Sequence, residues 1–170
     1  MESRAKLFGH AVHPILIVFP LGLLATAVVF DIVYLITDAP TFATVAYWML
    51  AAGLIGGLLA APFGLYDWLN IPKMTRAKRI GLMHAVMNVI ALVLFALSWW
   101  LRSDVSSHIP TTAALVLSFI GAGSALVGGW LGGELVERLG VGVDEGANVN
   151  APSSLTSSTA QPATVEVRKT

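Results

Sequence analysis

Charge is missing from four long stretches of this chain, and no other feature limits its fold so tightly. No Asp, Glu, Lys or Arg lies between Lys6 and Asp31, Asp38 and Asp67, Arg79 and Arg102, or Asp104 and Glu134. A helix needs about 20 mostly apolar residues to cross roughly 30 Å of hydrocarbon. Each interval holds one such helix and none holds two. The expected spans are about 14–36, 42–65, 80–101 and 111–133, with every backbone amide at that depth satisfied within its own helix. Residues 1–143 should therefore form an all-α membrane four-helix bundle with antiparallel, up-down topology. Composition agrees: 56% of residues are hydrophobic, 12% are charged and mean hydropathy is +0.77. A soluble domain is about a quarter charged.

Aromatic residues with a polar handle mark the same spans. Tyr34, Tyr47, Trp48, Trp99 and Trp100 fall near one set of helix ends, and Tyr66, Trp68 and Trp130 near the other. Such rings favour the headgroup region, where the ring is apolar-solvated and its polar atom stays wet. Arg4, Lys6, Lys73, Arg76, Lys78, Arg79 and Arg138 lie on one side, against Arg102 alone on the other. The positive-inside tendency then places both termini, and the loop 66–79, in the cytoplasm. Ala25-Thr26-Ala27 offers a signal-peptide cleavage site as a rival reading, but the apolar run continues through Val28, Val29 and Phe30, which a signal peptide would not need.

From 144 to 170 the chain is rich in Ser, Thr, Ala and Pro and has no aromatic residue. A segment of that kind buries too little apolar surface to offset its ordering entropy, so a disordered cytoplasmic tail is expected. No internal repeat is evident beyond two helix pairs. Formal net charge is zero, and nothing points to nucleic acid. The absence of cysteine removes disulfides, iron–sulfur ligation, thiolate catalysis and covalent haem attachment.

Small residues bear on helix contacts. Gly121, Ala125, Gly129 and Gly133 recur every four residues in the fourth span, beside Ser124, Gly128 and Gly132, and Gly53 and Gly57 lie in the second. Such spacing lets another helix approach closely. Packing within one bundle is the favoured reading; a homodimer face through the fourth span is the alternative. Pro14 suits a first helical turn. Pro20 should free the Leu16 carbonyl and bend the helix, unless the span begins only near Pro20. Pro62 should bend the second span.

Polar residues gather at the basic side. His10 and His13 precede the first span, Asp67 follows the second, His84 lies one turn inside the third with Asn88 a turn deeper, and Glu134 closes the fourth. Ionisable groups at membrane depth are costly and face the bundle interior. His13 could be a cap at the interface, since a residue before proline is disfavoured in a helix. Asp67 and Glu134 could be wetted helix ends, and His84 a hydrogen-bonded structural residue. The functional reading is a cofactor site. Bundles hold haems and metals between facing helices, and imidazole serves both. His84 with His13 or His10 could ligate one haem b, with Asn88 alongside, or His13, His84, Asp67 and Glu134 could hold a metal. Asp31 lies 18 residues after His13, about five helical turns, so it should share that face and meet Arg102 or another polar group.

The run Gly9-His10-x-x-His13-Pro14, then Phe19-Pro20-x-Gly22-Leu23 and Phe30-Asp31, resembles the opening of the bacterial family called domain of unknown function 2231. Gly64-x-x-Asp67, His84-x-x-x-Asn88 and Gly132-Gly133-Glu134-Leu135-Val136 before Gly140-Val141-Gly142-Val143 resemble its remainder. The likeness covers about residues 7–143. It implies a four-span protein of the bacterial inner membrane and no established activity. Some relatives carry a Rieske-type domain, which favours electron transfer and a redox partner, although this chain has no cysteine to build such a domain. The functional expectation is a haem- or metal-binding component of membrane electron transfer. The alternatives are a non-catalytic membrane subunit and a proton or small-molecule pathway.

Overall fold

Four long helices take up the four apolar intervals. In the computed structural model, which describes residues 1–155, they are α2 Val18–Thr37, α3 Pro40–Asn70, α4 Arg76–Trp100 and α5 Thr112–Gly133. A short α1, Val12–Leu16, leads into α2 and completes a 26-residue apolar span. All four are long and apolar enough to cross a membrane. Helix α2 packs along α3 and α4 along α5, while α3 and α4 join the pairs into an up-down bundle.

Local chemistry sets the boundaries. The Thr75 and Thr111 hydroxyls accept hydrogen bonds from Lys78 N and Ala114 N, capping α4 and α5, and each satisfies an amide without a helical partner. Pro40 opens α3, where its missing donor is harmless. The second span runs past its expected end to Asn70, because a helix leaving hydrocarbon needs water, not charge-free sequence, to continue. The expected effect of Pro20 falls at Ile17, where α1 and α2 are interrupted. Pro20 carries no N–H to meet the Leu16 carbonyl. Pro62 lies within α3 without ending it. His13 corrects an expectation: it sits inside the first turn of α1, not outside it as a cap. That turn's amides need no helical acceptor, so proline at its third position costs little.

Before α1, strands β1 Lys6–Leu7 and β2 His10–Ala11 form a small hairpin. Its turn residues, Phe8 and Gly9, have φ of 49° and 81°, the left-handed pair that a two-residue hairpin requires. Among the described residues, 144–155 contain turns and no helix or strand. The rest of the expected tail, 156–170, lies outside the described residues.

The two helix pairs repeat one another in burial. Leu24, Ala27 and Asp31 are the buried residues of α2. Phe95, Ser98 and Arg102, each 71 residues later, are buried in and just after α4. Ala43, Leu50, Gly53, Gly57 and Ala60 of α3 correspond in the same way to Ala114, Gly121, Ser124, Gly128 and Leu131 of α5, all buried. The bundle is thus a tandem of two antiparallel helix pairs, set in the same orientation about a pseudo-two-fold axis, an arrangement common in membrane folds. The sequence hides it, because most equivalent positions hold different apolar or small residues.

Glycines set the depth of packing. A Cβ on Gly53 would lie 2.7 Å from Leu24, and one on Gly121 would lie 3.3 Å from Phe95. The fourth-span glycines therefore split. Gly121, Gly128 and Gly132 meet side chains of the same chain, as the favoured reading expected, whereas Gly123, Gly129 and Gly133 face open space.

Candidate functional site

His13 and His84 meet across the bundle centre at its basic end. They come from diagonally opposed spans, with ring centroids 6.4 Å apart and planes at 83°. Nδ1 of His13 is 3.0 Å from the Ala60 carbonyl, and Nδ1 of His84 is 2.8 Å from that of Gly128. A carbonyl only accepts, so each Nδ1 carries a hydrogen and Nε2 is the nitrogen left to serve as a ligand. The two halves use one device. Each ring also lies over a glycine one turn beyond the carbonyl it bonds, His13 over Gly64 and His84 over Gly132. A Cβ there would come within 2.7 Å and 3.1 Å of the respective ring. The carbonyls are one turn out of step between repeats. Asn88 donates to the His84 carbonyl at 2.8 Å and lays its amide along the His84 ring, 3.3–3.4 Å from both nitrogens.

The other expected site residues lie apart from this pair. His10 is exposed in β2, with Nδ1 3.2 Å from the Phe8 carbonyl, so His13 is the first-segment histidine that faces His84. Asp67 accepts from the Ser3 hydroxyl at 2.7 and 2.9 Å and from Arg4 N at 3.0 Å. Glu134 pairs with Arg76. The structure does not gather the expected metal set of His13, His84, Asp67 and Glu134. Among the described residues no three His, Cys, Asp or Glu form a group able to hold an ion. The two carboxylates are taken by donors on neighbouring segments at the helix ends.

Asp67 instead anchors an N-terminal strap across that end. Lys6 bridges Asp144 at 2.6 Å and Glu2 at 2.8 Å, and Glu2 accepts from Glu145 N at 3.0 Å. The Lys6 hydrogen bond, and then that of Glu145 N, hold the Glu2 carboxyl below its ordinary pKa. A depressed carboxyl stabilises only above its unfolded pKa, and the effect is lost as pH falls through the folded value. Amides of residues 1–11 should therefore exchange faster at pH 3 than at pH 6 after correction for intrinsic rates. Unchanged protection would dismiss the clasp.

A second polar cluster occupies the axis at the opposite end, five turns away. Arg102 and Asp31 are 0% exposed and joined by two hydrogen bonds of 2.6 and 2.8 Å. The interior partner expected for Asp31 is the one observed. Arg102 also donates to the hydroxyls of Ser98 and Ser118, at 3.0 and 3.1 Å, and Ser98 lies within reach of the Ala114 carbonyl. His108 places Nδ1 3.0 Å from the Arg102 carbonyl and stacks on Tyr47 at 3.7 Å between centroids. Sequence reasoning missed Ser98, Ser118 and His108. Ser98, one turn before Arg102 on its face, was a legible signal. His108 was not, since its placement depends on two left-handed residues, Ser107 and His108.

Comparison with known proteins yields one match. A family model described as predicted membrane protein (DUF2231) covers residues 9–145. No curated protein and no solved structure matches the chain.

Proposed function

Because the chain belongs to the DUF2231 family of predicted membrane proteins, a description that assigns no activity, we propose from its own chemistry that it is a redox component of the bacterial inner membrane whose His13 and His84 hold one haem b iron. The observation that carries this reading is the facing pair of imidazoles. Their ring centroids are 6.4 Å apart, close enough for both rings to hold one metal, since metal–nitrogen bonds are about 2 Å.

Three features support it. Ligating histidines usually give their other N–H to a carbonyl or carboxylate, which fixes tautomer and orientation, and both rings already do so. The donor set is two imidazoles without thiolate or carboxylate, which suits haem better than a structural zinc site needing four ligands. Gly64, Gly128 and Gly132 hold helix backbone close to the rings, so the imidazoles sit inside the bundle and not on its lipid surface. Bound there, haem would supply one-electron chemistry. The chain's own part is to fix two Nε2 lone pairs and to keep lipid away.

The test is the visible spectrum of the purified full-length protein. A Soret band that His13→Ala and His84→Ala each abolish, with the helices retained, is the expected result. A colourless preparation from haem-replete cells, as stable as one supplied with haem, would overturn the proposal and favour a structural pair. Reporter fusions carry the orientation: Met74 and both termini should report cytoplasmic, and Pro40 and Ser106 external. The reverse pattern would remove the basis in lysine and arginine asymmetry.

A further inference from the structure

The geometry points to the Asp31–Arg102 pair as a recognition element that makes the first helix pair bind the second helix pair of its own chain and not a second copy of itself. The repeated burial pattern carries the argument. Along the pseudo-two-fold axis most facing residues are interchangeable. Leu24 stands where Phe95 does, Ala27 where Ser98 does, and His13 faces its own equivalent, His84. The two repeats differ along this seam in shape, chiefly where Tyr47 of the first stacks on Trp99 and His108 of the second. Lipid tails are as apolar as leucine, so apolar burial gives no preference between helix partners.

One axial position differs in the sign of its charge. Asp31 faces Arg102, its equivalent 71 residues on, and the pair is fully buried. Two first repeats would bring two carboxylates together there, and two second repeats would bring two guanidinium groups. Like charges in contact inside a bundle penalise the wrong pairing, which is how repulsion gives specificity. The polar support is one-sided as well. Ser98 and Ser118 serve the guanidinium, whereas Ala27 occupies the place of Ser98 in the first repeat. A buried ion pair is weak evidence for stability, and its best-attested use is to fix register and partner. The pair also lies five turns along the same two spans from His13 and His84.

The experiment uses full-length protein in detergent, read by light scattering on a sizing column and by helix content. Asp31→Arg and Arg102→Asp should each reduce folded monomer about tenfold or more, since each places like charges on the axis. The double reversal Asp31→Arg/Arg102→Asp should restore it to within about twofold. The decisive variant is Asp31→Leu/Arg102→Met, which removes both charges. It should keep native helix content but distribute between monomer and dimer, because no charge then distinguishes the two repeats and the remaining difference is one of shape, as where Tyr47 stacks on Trp99. A double reversal that fails to recover would overturn the inference. So would an apolar double variant that stays strictly monomeric, which would show the charges to be dispensable for pairing. An apolar variant that does not fold would make the pair a stability element and overturn it too.

Discussion

Arg102→Met alone should cost about 3–5 kcal/mol, the usual penalty for breaking a buried ion pair from one side. Asp31 is fully buried and its two oxygens face Arg102. With the guanidinium gone the carboxylate must take up a proton or draw in water. The Ser98 and Ser118 hydroxyls keep each other and the Ala114 carbonyl as partners, so the serines do not add to the loss. Asp31→Asn should be milder, because a neutral amide still accepts one hydrogen bond from Arg102, though it strands part of the guanidinium charge. A midpoint shift of several degrees in thermal unfolding, larger for Arg102→Met than for Asp31→Asn, would bear this out. Equal and small shifts would show that water already reaches the pair.

Gly132→Leu should also be damaging, and its contrast with Gly123→Leu gives it meaning. A Cβ at Gly132 would lie 3.1 Å from the His84 ring, which is held by the Gly128 carbonyl and flanked by Asn88. Leucine there must push the imidazole off its carbonyl or part α4 from α5, an overpacking cost of about 1–3 kcal/mol or more. Gly123 has nothing within 4 Å of such a Cβ. Leucine at that position faces lipid and improves helix propensity by up to about 1 kcal/mol. On the proposed haem-binding role, loss of the Soret band should accompany Gly132→Leu alone. Comparable stability and spectra in both variants would mean that the histidine pocket is not packed as described.

The spans, their number and their up-down order were legible because lipid imposes a coarse rule: about 20 residues without charge. Asp31 was legible for the same reason. A carboxylate within apolar sequence must find a donor, and the helical period placed Arg102 within its choice. The facing of His84 by a first-segment histidine followed from sidedness. The choice of His13 over His10 did not, because it depends on the Phe8–Gly9 turn, which removes His10 into a hairpin. Asp67 and Glu134 appeared ligand-like only because sequence gives sidedness without lateral position. Ser3 and Arg76, which occupy them, had no visible reason to be near. The tandem burial pattern escaped notice because apolar residues substitute freely for one another, so the likeness survives in spacing and in the two polar axial positions.

The position of the imidazole pair also bears on sidedness. From His13 to Asp31 the chain climbs 18 residues, about 27 Å of helix. The interval is filled by Leu24, Ala27, Leu50 and Phe95, packed as one apolar cluster. A centre held by the histidines would therefore belong to a single leaflet. It could exchange electrons with a donor and an acceptor that both reach the basic surface, or with a second centre in a neighbouring subunit. This chain alone would not act as a wire through the full thickness of the bilayer, and the far half of the bundle would insulate it.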